Sequence, residues 1–260
     1  MRFRFQKRSG HASLRFMVRT LLLLLVGLGA GCADNPYVIG RLLDASMTEP
    51  DLCPDKALFC SGFEAESLRD EWTTTTIIED ATLERSTTRV HRGKAALRAE
   101  SRGPDSAAVV VASLPPQRSG SLYLRAYVYI GADWATETMN LFFIGDDPAE
   151  PFIGVDLNIE DGAVQVFSPQ ADPVRTSGRS RIARDRWVCF RAELAISDDA
   201  GAVRVQLDDV LAVEVSGIDT LPAGGVHLFR AGVDWSSEQA SFFEVYLDDI
   251  ALSRAPIACE

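Results

Sequence analysis

The sequence lacks an apolar run long enough to cross a lipid bilayer. Its most apolar run, Leu21–Leu28, has eight residues, whereas the hydrocarbon core of a bilayer needs about 20. Six basic residues and no acidic residue precede this run. A short apolar run behind a basic segment is typical of a removable export signal and excludes a membrane-spanning helix at this place.

Basic residues are few once that leader is set aside. The remaining chain has 20 Lys and Arg residues against 37 Asp and Glu residues, a net charge of -17. A surface this negative repels phosphate backbones and anionic lipid headgroups. We therefore expect no nucleic-acid partner. The composition, 47% hydrophobic and 24% charged, is that of an ordinary folded protein and excludes disorder.

Motifs for catalysis and metal binding are absent after the leader. There is no Gly-x-Ser-x-Gly elbow, no His-Glu-x-x-His pair, no phosphate loop and no Cys-x-x-Cys pair. His91 and His227 are the only histidines left once the leader is removed. The sequence therefore predicts no catalytic residue, no metal-ligand set and no cofactor.

The end of the apolar run, Leu28–Cys32, resembles the lipobox of bacterial lipoproteins, with Gly29 where that family usually has leucine. The resemblance implies a signal peptide over residues 1–31 and a diacylated Cys32 that anchors the protein to the cell envelope. Ala33 rather than aspartate follows the cysteine, which favours the outer membrane. The alternative is ordinary signal-peptidase cleavage nearby and a soluble exported protein. Met17 is an alternative start of translation.

The other four cysteines form an even set, as expected in an oxidising compartment. Four cysteines permit three pairings, and the sequence alone does not choose among them. We favour Cys53 with Cys60, because the Pro-Asp pair that follows Cys53 indicates a turn. That choice leaves Cys189 with Cys259, which would tie the end of the chain to a central strand.

Residues 32–56 are expected to be a tether, and from residue 57 onward the pattern is that of strands. Ser121–Ile130 is the clearest run, with small or apolar side chains at every second position and Tyr or Arg between them. At least nine such runs, with Gly, Pro and Asp between them, predict a single all-β, two-sheet antiparallel sandwich over residues 57–260. Hairpin turns are predicted at Asp161-Gly162 and Asp208-Asp209.

Several segments in order resemble the concanavalin A-like lectin/glucanase (LamG-like) jelly rolls of secreted bacterial proteins. They are Phe59–Glu64 followed by Trp72, Val90–Arg98, Trp187–Cys189 with Glu193, the hairpin through Asp208-Asp209, and Tyr246–Ile250. The resemblance implies two antiparallel sheets, one of them curved, whose concave side binds or cleaves polysaccharides in relatives. It does not imply that this chain does either.

The catalytic patterns of that superfamily are incomplete here. Retaining glucanases need two carboxyls about 5–5.5 Å apart, supplied there by a Glu-x-Asp-x-(x)-Glu run, and Asp156–Glu160 has Asn158 at the middle place. Alginate lyases of the same fold carry Arg-x-Glu, Gln-(Ile/Val)-His and Tyr-x-Lys-x-x-x-Tyr strands. Arg191–Glu193 matches the first, Phe167 replaces the histidine of the second, and the third is absent. We therefore favour a protein without catalysis.

The predicted ligand-binding surface consists of polar and aromatic residues on the outward face of the strands, with two loop tryptophans: Arg125, Tyr127, Tyr129, Asp156, Asn158, Arg191, Glu193, Trp134 and Trp235. The alternative is that the charged members pair across strands, Arg125 with Glu193 or Arg191 with Asp156. The resemblance also raises a structural calcium at one of four Asp pairs, since related domains hold one at a sheet rim. The alternative for each pair is a solvated turn. The pairs begin at Asp146, Asp198, Asp208 and Asp248.

The leading hypothesis is thus a lipid-anchored cell-envelope protein whose jelly-roll domain binds carbohydrate or a protein partner without catalysis. The first alternative is a polysaccharide lyase or glycoside hydrolase of the same fold. The second is a structural envelope component with no ligand.

Overall fold

The structure is a computed structural model of the chain, and it describes residues 53–54, 56–104, 106–132, 138–146, 154–168, 174–237 and 242–260. The expected signal peptide, Cys32, most of the expected tether and Trp134 lie outside the described residues. In the part that is described, the one helix is a 3-10 turn of three residues, Leu68–Asp70. No described helix has the length and apolarity to span a membrane.

Fifteen strands form two sheets in which all pairings are antiparallel. In chain order they are β1 Ala57–Ser61, β2 Thr74–Ile78, β3 Thr82–Ser86, β4 Ala96–Ser101, β5 Ala107–Gln117, β6 Gly120–Ile130, β7 Thr138–Gly145, β8 Gly154–Glu160, β9 Ala163–Ser168, β10 Val174–Arg181, β11 Trp187–Ile196, β12 Gly201–Leu207, β13 Val210–Ile218, β14 Val226–Ser236 and β15 Phe243–Ser253.

Sheet A has eight strands in the order β13-β12-β11-β6-β15-β4-β3, with β1 also paired to β15. Sheet B has seven strands in the order β10-β9-β8-β7-β14-β5-β2. The predicted all-β, two-sheet antiparallel sandwich is confirmed.

Alternation along the strands builds the core between the sheets. The apolar side of β6, from Leu122 to Ile130, belongs to one continuous core cluster, together with Val155, Leu157 and Ile159 of β8 on the opposite sheet. Phe142 of β7 lies 5.1 Å, centroid to centroid, from Phe190 of β11. Because those strands belong to different sheets, this aromatic contact joins the two layers.

Two tight hairpins occur where the sequence predicts them. Asp161 and Gly162 join β8 to β9 with φ angles of 47° and 78°. Asp208 and Asp209 join β12 to β13 with φ angles of 47° and 65°. Two successive positive φ angles are what a two-residue type I′ turn requires, and its twist matches that of the strands it joins.

Two disulfides are present, Cys53–Cys60 and Cys189–Cys259, the pairs that the sequence analysis favours. The first joins the segment before β1 to β1 itself. The second joins β11, in the middle of sheet A, to the last residues of the chain. The second therefore holds the C-terminal residues against sheet A.

Candidate functional site

The predicted ligand-binding residues divide between the two sheets. Because the outer faces of a sandwich point in opposite directions, these residues do not form the single surface that the sequence analysis expects. The alternative of an Arg191–Asp156 pair is wrong for the same reason, and Arg191 contacts Asp209 instead. On sheet A lie Arg125, Tyr127, Tyr129, Arg191 and Glu193; on sheet B lie Asp156, Asn158 and Trp235.

The C-terminal strap, Arg254–Glu260, lies over the outer face of β6. The Tyr127 hydroxyl donates to the Glu260 carbonyl at 2.7 Å and accepts from the Glu260 amide at 2.8 Å. Arg125 is 1% exposed and its guanidinium lies 3.6 Å from the Glu260 carboxylate. The alternative of an Arg125–Glu193 pair is wrong, since Arg125 contacts Glu260 and the Ala258 carbonyl of the strap, whereas Glu193 accepts from Tyr123 and Ser121. The strap buries this part of the predicted surface.

Tyr127 and Tyr129 of β6 are also covered from the side of residues 89–91. The His91 ring stacks on Tyr127 with centroids 3.5 Å apart. The Arg89 guanidinium bonds the Tyr129 hydroxyl and lies 4.4 Å from the Tyr129 ring centroid. Both tyrosines are buried. Their polar atoms serve internal contacts, so they do not form an open aromatic platform.

The outer face of sheet B carries a row of polar side chains that crosses five adjacent strands. Strand register places Ser177 opposite Gln165, Gln165 opposite Asn158, Asn158 opposite Asn140, and Asn140 opposite Trp235. Directly opposed residues share a face of the sheet. We call these five residues the amide row. The predicted residues Asn158 and Trp235 both belong to it.

Hydrogen bonds join the side chains of the amide row to one another. The Asn140 amide donates to Asn158 at 3.1 Å and to Asp156 at 2.7 Å, and the Asn158 amide donates to Gln165 at 3.3 Å. The Gln165 amide donates to Ser177 at 3.1 Å. The Asn140 carbonyl oxygen is buried without a hydrogen-bond partner. An unsatisfied buried acceptor costs free energy, and this oxygen has almost no exposed surface through which a ligand could reach it.

A buried ion pair lies beside the amide row. Arg230 of β14 is registered with Phe143, and Phe143 with Asp156 of β8. The Arg230 guanidinium lies 2.5 Å from the carboxylate of Asp234, four residues farther along β14. Burial raises the pKa of Asp234 to about 6, and the charge of Arg230 opposes that rise. The pair adds charged hydrogen-bonding groups to the edge of the row.

A bulge in β14 brings Trp235 opposite Asn140. The register between β14 and β7 shifts between Ala231 and Trp235. Gly232 in this bulge has a φ of 134°, and a Cβ atom there would lie 2.2 Å from the Ala108 carbonyl oxygen of β5. Only glycine fits both the dihedral angle and the close backbone approach. Trp235 is 48% exposed at the end of the row.

Proton-transfer groups are scarce in the strands of sheet B. The described strands of this sheet contain no tyrosine and one histidine, His227. The His227 ring contacts the Gly225 carbonyl at 3.1 Å and lies 3.3 Å from the Asp146 carboxylate. That histidine therefore has two partners at the rim of the sheet.

The acidic pair in β15 fixes a loop. Asp248 accepts from the backbone amides of His91, Arg92 and Asp249, and the His91 ring lies 2.7 Å from the Asp249 carboxylate. Burial and then the neighbouring Asp249 raise the pKa of Asp248 to about 7. Among the described residues no group of three or more His, Cys, Asp or Glu side chains is placed to hold a metal ion. The calcium alternative stays a prediction.

Sequence reasoning missed much of the site on sheet B. Asn140, Arg230 and Asp234 lie in strands that the sequence analysis does not single out. Gln165 lies in the segment that the sequence analysis compares with the second lyase pattern. Alternation with Val164 and Val166 is the signal that places Gln165 on an outer face.

Comparison with known proteins gives the fold but no family assignment. No family model matches the chain, and no curated protein matches it. An endo-β-1,4-glucuronan lyase from the fungus Trichoderma reesei matches with a TM-score of 0.59 at 15% identity, over 70% of this chain and 90% of that chain. The cellulose-induced protein Cip1 matches with a TM-score of 0.58 at 15% identity, over 72% of this chain and 94% of that chain.

A third structure is a carbohydrate esterase from the Shiga toxin-encoding bacteriophage phi24B. It matches with a TM-score of 0.51 at 12% identity, over 75% of this chain and 97% of that chain. At such identities the likeness shows the fold alone and not the activity. With two antiparallel sheets and these structural neighbours, the chain has the concanavalin A-like jelly-roll fold.

Proposed function

We propose that the outer face of sheet B binds a polysaccharide without cleaving it. The observation that carries this proposal is the amide row, in which three buried and mutually bonded amides, Asn140, Asn158 and Gln165, lie between the exposed side chains of Ser177 and Trp235 across five strands. A line of this kind matches an extended chain of sugar rings better than a single small molecule.

The chemistry of the row suits sugar hydroxyls. Each Asn or Gln side chain offers both donors and acceptors, and each sugar hydroxyl is both a donor and an acceptor. The indole of Trp235 is the large exposed aromatic group of the row and offers an apolar face for a sugar ring. The glucuronan lyase and the carbohydrate esterase of the same fold act on carbohydrates by name, which supports the class of ligand.

The side chains of sheet B favour binding over cleavage. Elimination or hydrolysis of a glycosidic bond needs a positioned group that transfers a proton. The described strands of the sheet offer no tyrosine, and their one histidine is engaged with Asp146. Three carboxyl groups lie on these strands, and each is engaged: Asp234 pairs with Arg230, Asp156 accepts from Asn140, and Glu160 accepts from Gln165.

Removal of the exposed indole tests the proposal. Wild type and Trp235→Ala are titrated with a panel of soluble plant, fungal and bacterial polysaccharides, and reducing ends and 235-nm absorbance are followed in parallel. We expect at least one polysaccharide to bind without turnover and Trp235→Ala to weaken that binding about fivefold. Ile77→Ala is the matched control, because Ile77 is 54% exposed on the edge strand of the same sheet.

Three outcomes contradict this proposal. Turnover of a bound polysaccharide would favour the lyase or hydrolase alternative. Absence of binding across the panel would favour a structural envelope component. Equal weakening by Trp235→Ala and Ile77→Ala would place the binding surface elsewhere.

We also propose that the protein is anchored to the bacterial cell envelope, with the outer membrane as the favoured site, by lipid on Cys32. The lipobox-like ending of the apolar run supports this. Mass spectrometry of the N-terminal peptide from membrane fractions is expected to show Cys32 as the first residue, carrying acyl chains. An unmodified Cys32 inside a longer peptide would contradict the anchor and leave the binding proposal untouched.

A further inference from the structure

Strand β2 ends sheet B without the features that usually protect an open sheet edge. Its five residues, Thr74–Ile78, include no charged residue and no proline, and its register with β5 is regular. The other three end strands, β3, β10 and β13, each carry at least one charged residue, and the pairings of β10 and β13 also have register shifts. Charged residues and bulges on an end strand oppose its pairing with another chain. Of the four, β2 is therefore the end strand best suited to such pairing.

Two isoleucines of β2 are exposed, although one of them faces the core side of the sheet. Strand register sets Ile77 opposite Ala108 of β5, which belongs to the core between the sheets. Directly opposed residues share a face of the sheet, so Ile77 points the same way. Ile77 is nevertheless 54% exposed, and its neighbour Ile78 is 43% exposed. The described residues thus leave this rim of the sandwich open, with apolar surface along it.

A groove of about 300 Å³ lies along the same rim, between the end strands of the two sheets. Leu68 of the 3-10 turn, Ile77 of β2 and Leu83 of β3 give it an apolar lining. Its charged residues are two of each sign, Glu66, Arg69, Glu84 and Arg85. The groove is neutral on balance, whereas the chain after its leader has a net charge of -17. Two copies of so acidic a chain meet least repulsion where the local charge cancels.

The sequence of β2 is complementary to a second copy of itself in the antiparallel direction. In the central register the two Thr76 residues face each other across a two-fold axis. The remaining cross-strand pairs are Thr75 with Ile77 and Thr74 with Ile78. Every pair then joins two β-branched residues, which pack well on a pleated sheet. No pair brings like charges together, because β2 has no charged residue.

The acidic residues that follow β2, Glu79 and Asp80, decide the direction of pairing. In the antiparallel register each of them lies about 20 Å or more along the strands from its counterpart in the other copy. Parallel pairing would set each carboxylate beside its counterpart, with the strands about 4.8 Å apart. Like charges in such positions are destabilising, so the antiparallel arrangement is favoured.

We propose that β2 pairs antiparallel with β2 of a second copy, with Thr76 at the axis, and that sheet B continues across the resulting dimer. A two-fold contact of this kind uses the same edge on both copies, so it stops at two. One pair of five-residue strands and the side chains beside them make an interface at the weak end of protein contacts. We expect a Kd of about 100 µM.

Sedimentation equilibrium of the exported chain tests the proposal, with Cys32→Ser so that no lipid is attached. From about 10 µM to about 1 mM we expect a monomer–dimer equilibrium and no larger species. Raising NaCl from about 50 mM to about 300 mM is expected to tighten the dimer at least about threefold, because salt screens the repulsion between two acidic copies.

Two lysine variants of equal net charge locate the contact. Thr76→Lys sets two ammonium groups against each other at the axis and is expected to weaken the dimer at least about tenfold. Ser216→Lys is the matched control, because Ser216 is exposed on β13, at the other end of sheet A from β3. The control is expected to leave the Kd unchanged. Melting temperatures show whether each variant remains folded.

Cysteine variants test the register directly, since the four cysteines of the described residues are all in disulfides. Thr76→Cys sets each thiol opposite its counterpart, within the Cα–Cα range of about 4.4–6.8 Å that a disulfide spans. Ile78→Cys is the control, because its counterpart lies about 13 Å away along the strands. Under mild oxidation we expect Thr76→Cys to form a disulfide-linked dimer at least about tenfold faster than Ile78→Cys.

Four results would overturn the proposal. They are a monomer at all concentrations up to about 1 mM, which would leave β2 to a different partner; an association that weakens as salt rises; equal weakening by Thr76→Lys and Ser216→Lys; and equal rates of cross-linking in the two cysteine variants. Polysaccharide titrations are made below the expected Kd, where the chain is monomeric, so none of these results bears on the amide row.

Discussion

The outer faces of the two sheets share the same alternating pattern of polar residues but differ in the contacts that these residues make. On sheet A, the strap and residues 89–91 cover Arg125, Tyr127 and Tyr129 and use their polar atoms. On sheet B, the amide row bonds mainly to itself, keeps an unsatisfied acceptor and ends in an exposed indole. Alternating polar residues thus identify an outer face on both sheets. On both sheets the central polar side chains are buried, so Ser177 and Trp235 are the members of the amide row that are open to a ligand.

The largest expected effect concerns the disulfide that holds the strap. In the chain-entropy model a cross-link over 70 residues, as in Cys189–Cys259, contributes about 4 kcal/mol, against about 2 kcal/mol for one over 7 residues, as in Cys53–Cys60. We expect the double alanine variant of the longer cross-link to lose about twice as much free energy of unfolding in urea as that of the shorter one. Equal losses would mean that the strap adds little to sheet A.

The second expected effect is a dependence of stability on pH. Asp248 has a folded-state pKa of about 7, above its ordinary value, so the folded state binds the proton more tightly than the unfolded state. Stability from this group is full below about pH 4, falls as the pH rises through the range between the two pKa values, and is lost above about pH 7. A shift of about three pKa units corresponds to a change on the order of 4 kcal/mol.

The matched variant for this effect is Asp248→Asn. We expect the free energy of unfolding of wild type, minus that of the variant, to decrease from pH 4 to pH 8. The slope is the informative quantity, because the variant also changes hydrogen bonds to His91, Arg92 and Asp249 at every pH. Parallel pH curves for the two proteins would rule out this titration.

The smallest expected effect compares two tyrosines on β6. The Tyr127 hydroxyl makes two hydrogen bonds to the Glu260 backbone, whereas the Tyr123 hydroxyl makes one, to the half-buried Glu193. We expect Tyr127→Phe to lower the free energy of unfolding by about 1 kcal/mol and Tyr123→Phe by less than about 0.5 kcal/mol. Urea denaturation measures both. A larger loss for Tyr123→Phe would contradict the placement of the strap over β6.

Local patterns were enough to predict the sandwich, because alternation and turn residues act over a few positions. The inward set of β6 and the hairpins at Asp161-Gly162 and Asp208-Asp209 are examples. Alternation says that Arg125 and Asp156 point outward, but it does not say from which sheet. That depends on strand order, which is set by contacts between residues far apart in the chain.

The amide row escaped prediction for a related reason. Its members come from β7, β8, β9, β10 and β14, and they meet only through register. The bulge at Gly232 sets the last of these registers, and a single glycine in a strand does not reveal in which direction the next residues turn. The sequence did not predict the strap either. The favoured Cys189–Cys259 pair shows that the end of the chain is joined to sheet A, but it does not show which path the residues before Cys259 take.

The Cys53–Cys60 cross-link also fixes how the domain carries mechanical load. β1 pairs with β15 along Ala57–Ser61. A force that pulls on the chain ahead of Cys53 passes through the sulfur atoms to Cys60, so residues 54–59 carry no tension. The first half of β1 therefore cannot be peeled from its neighbour one hydrogen bond at a time. Any rupture has to begin at Cys60, next to Ala251 in the body of the sheet.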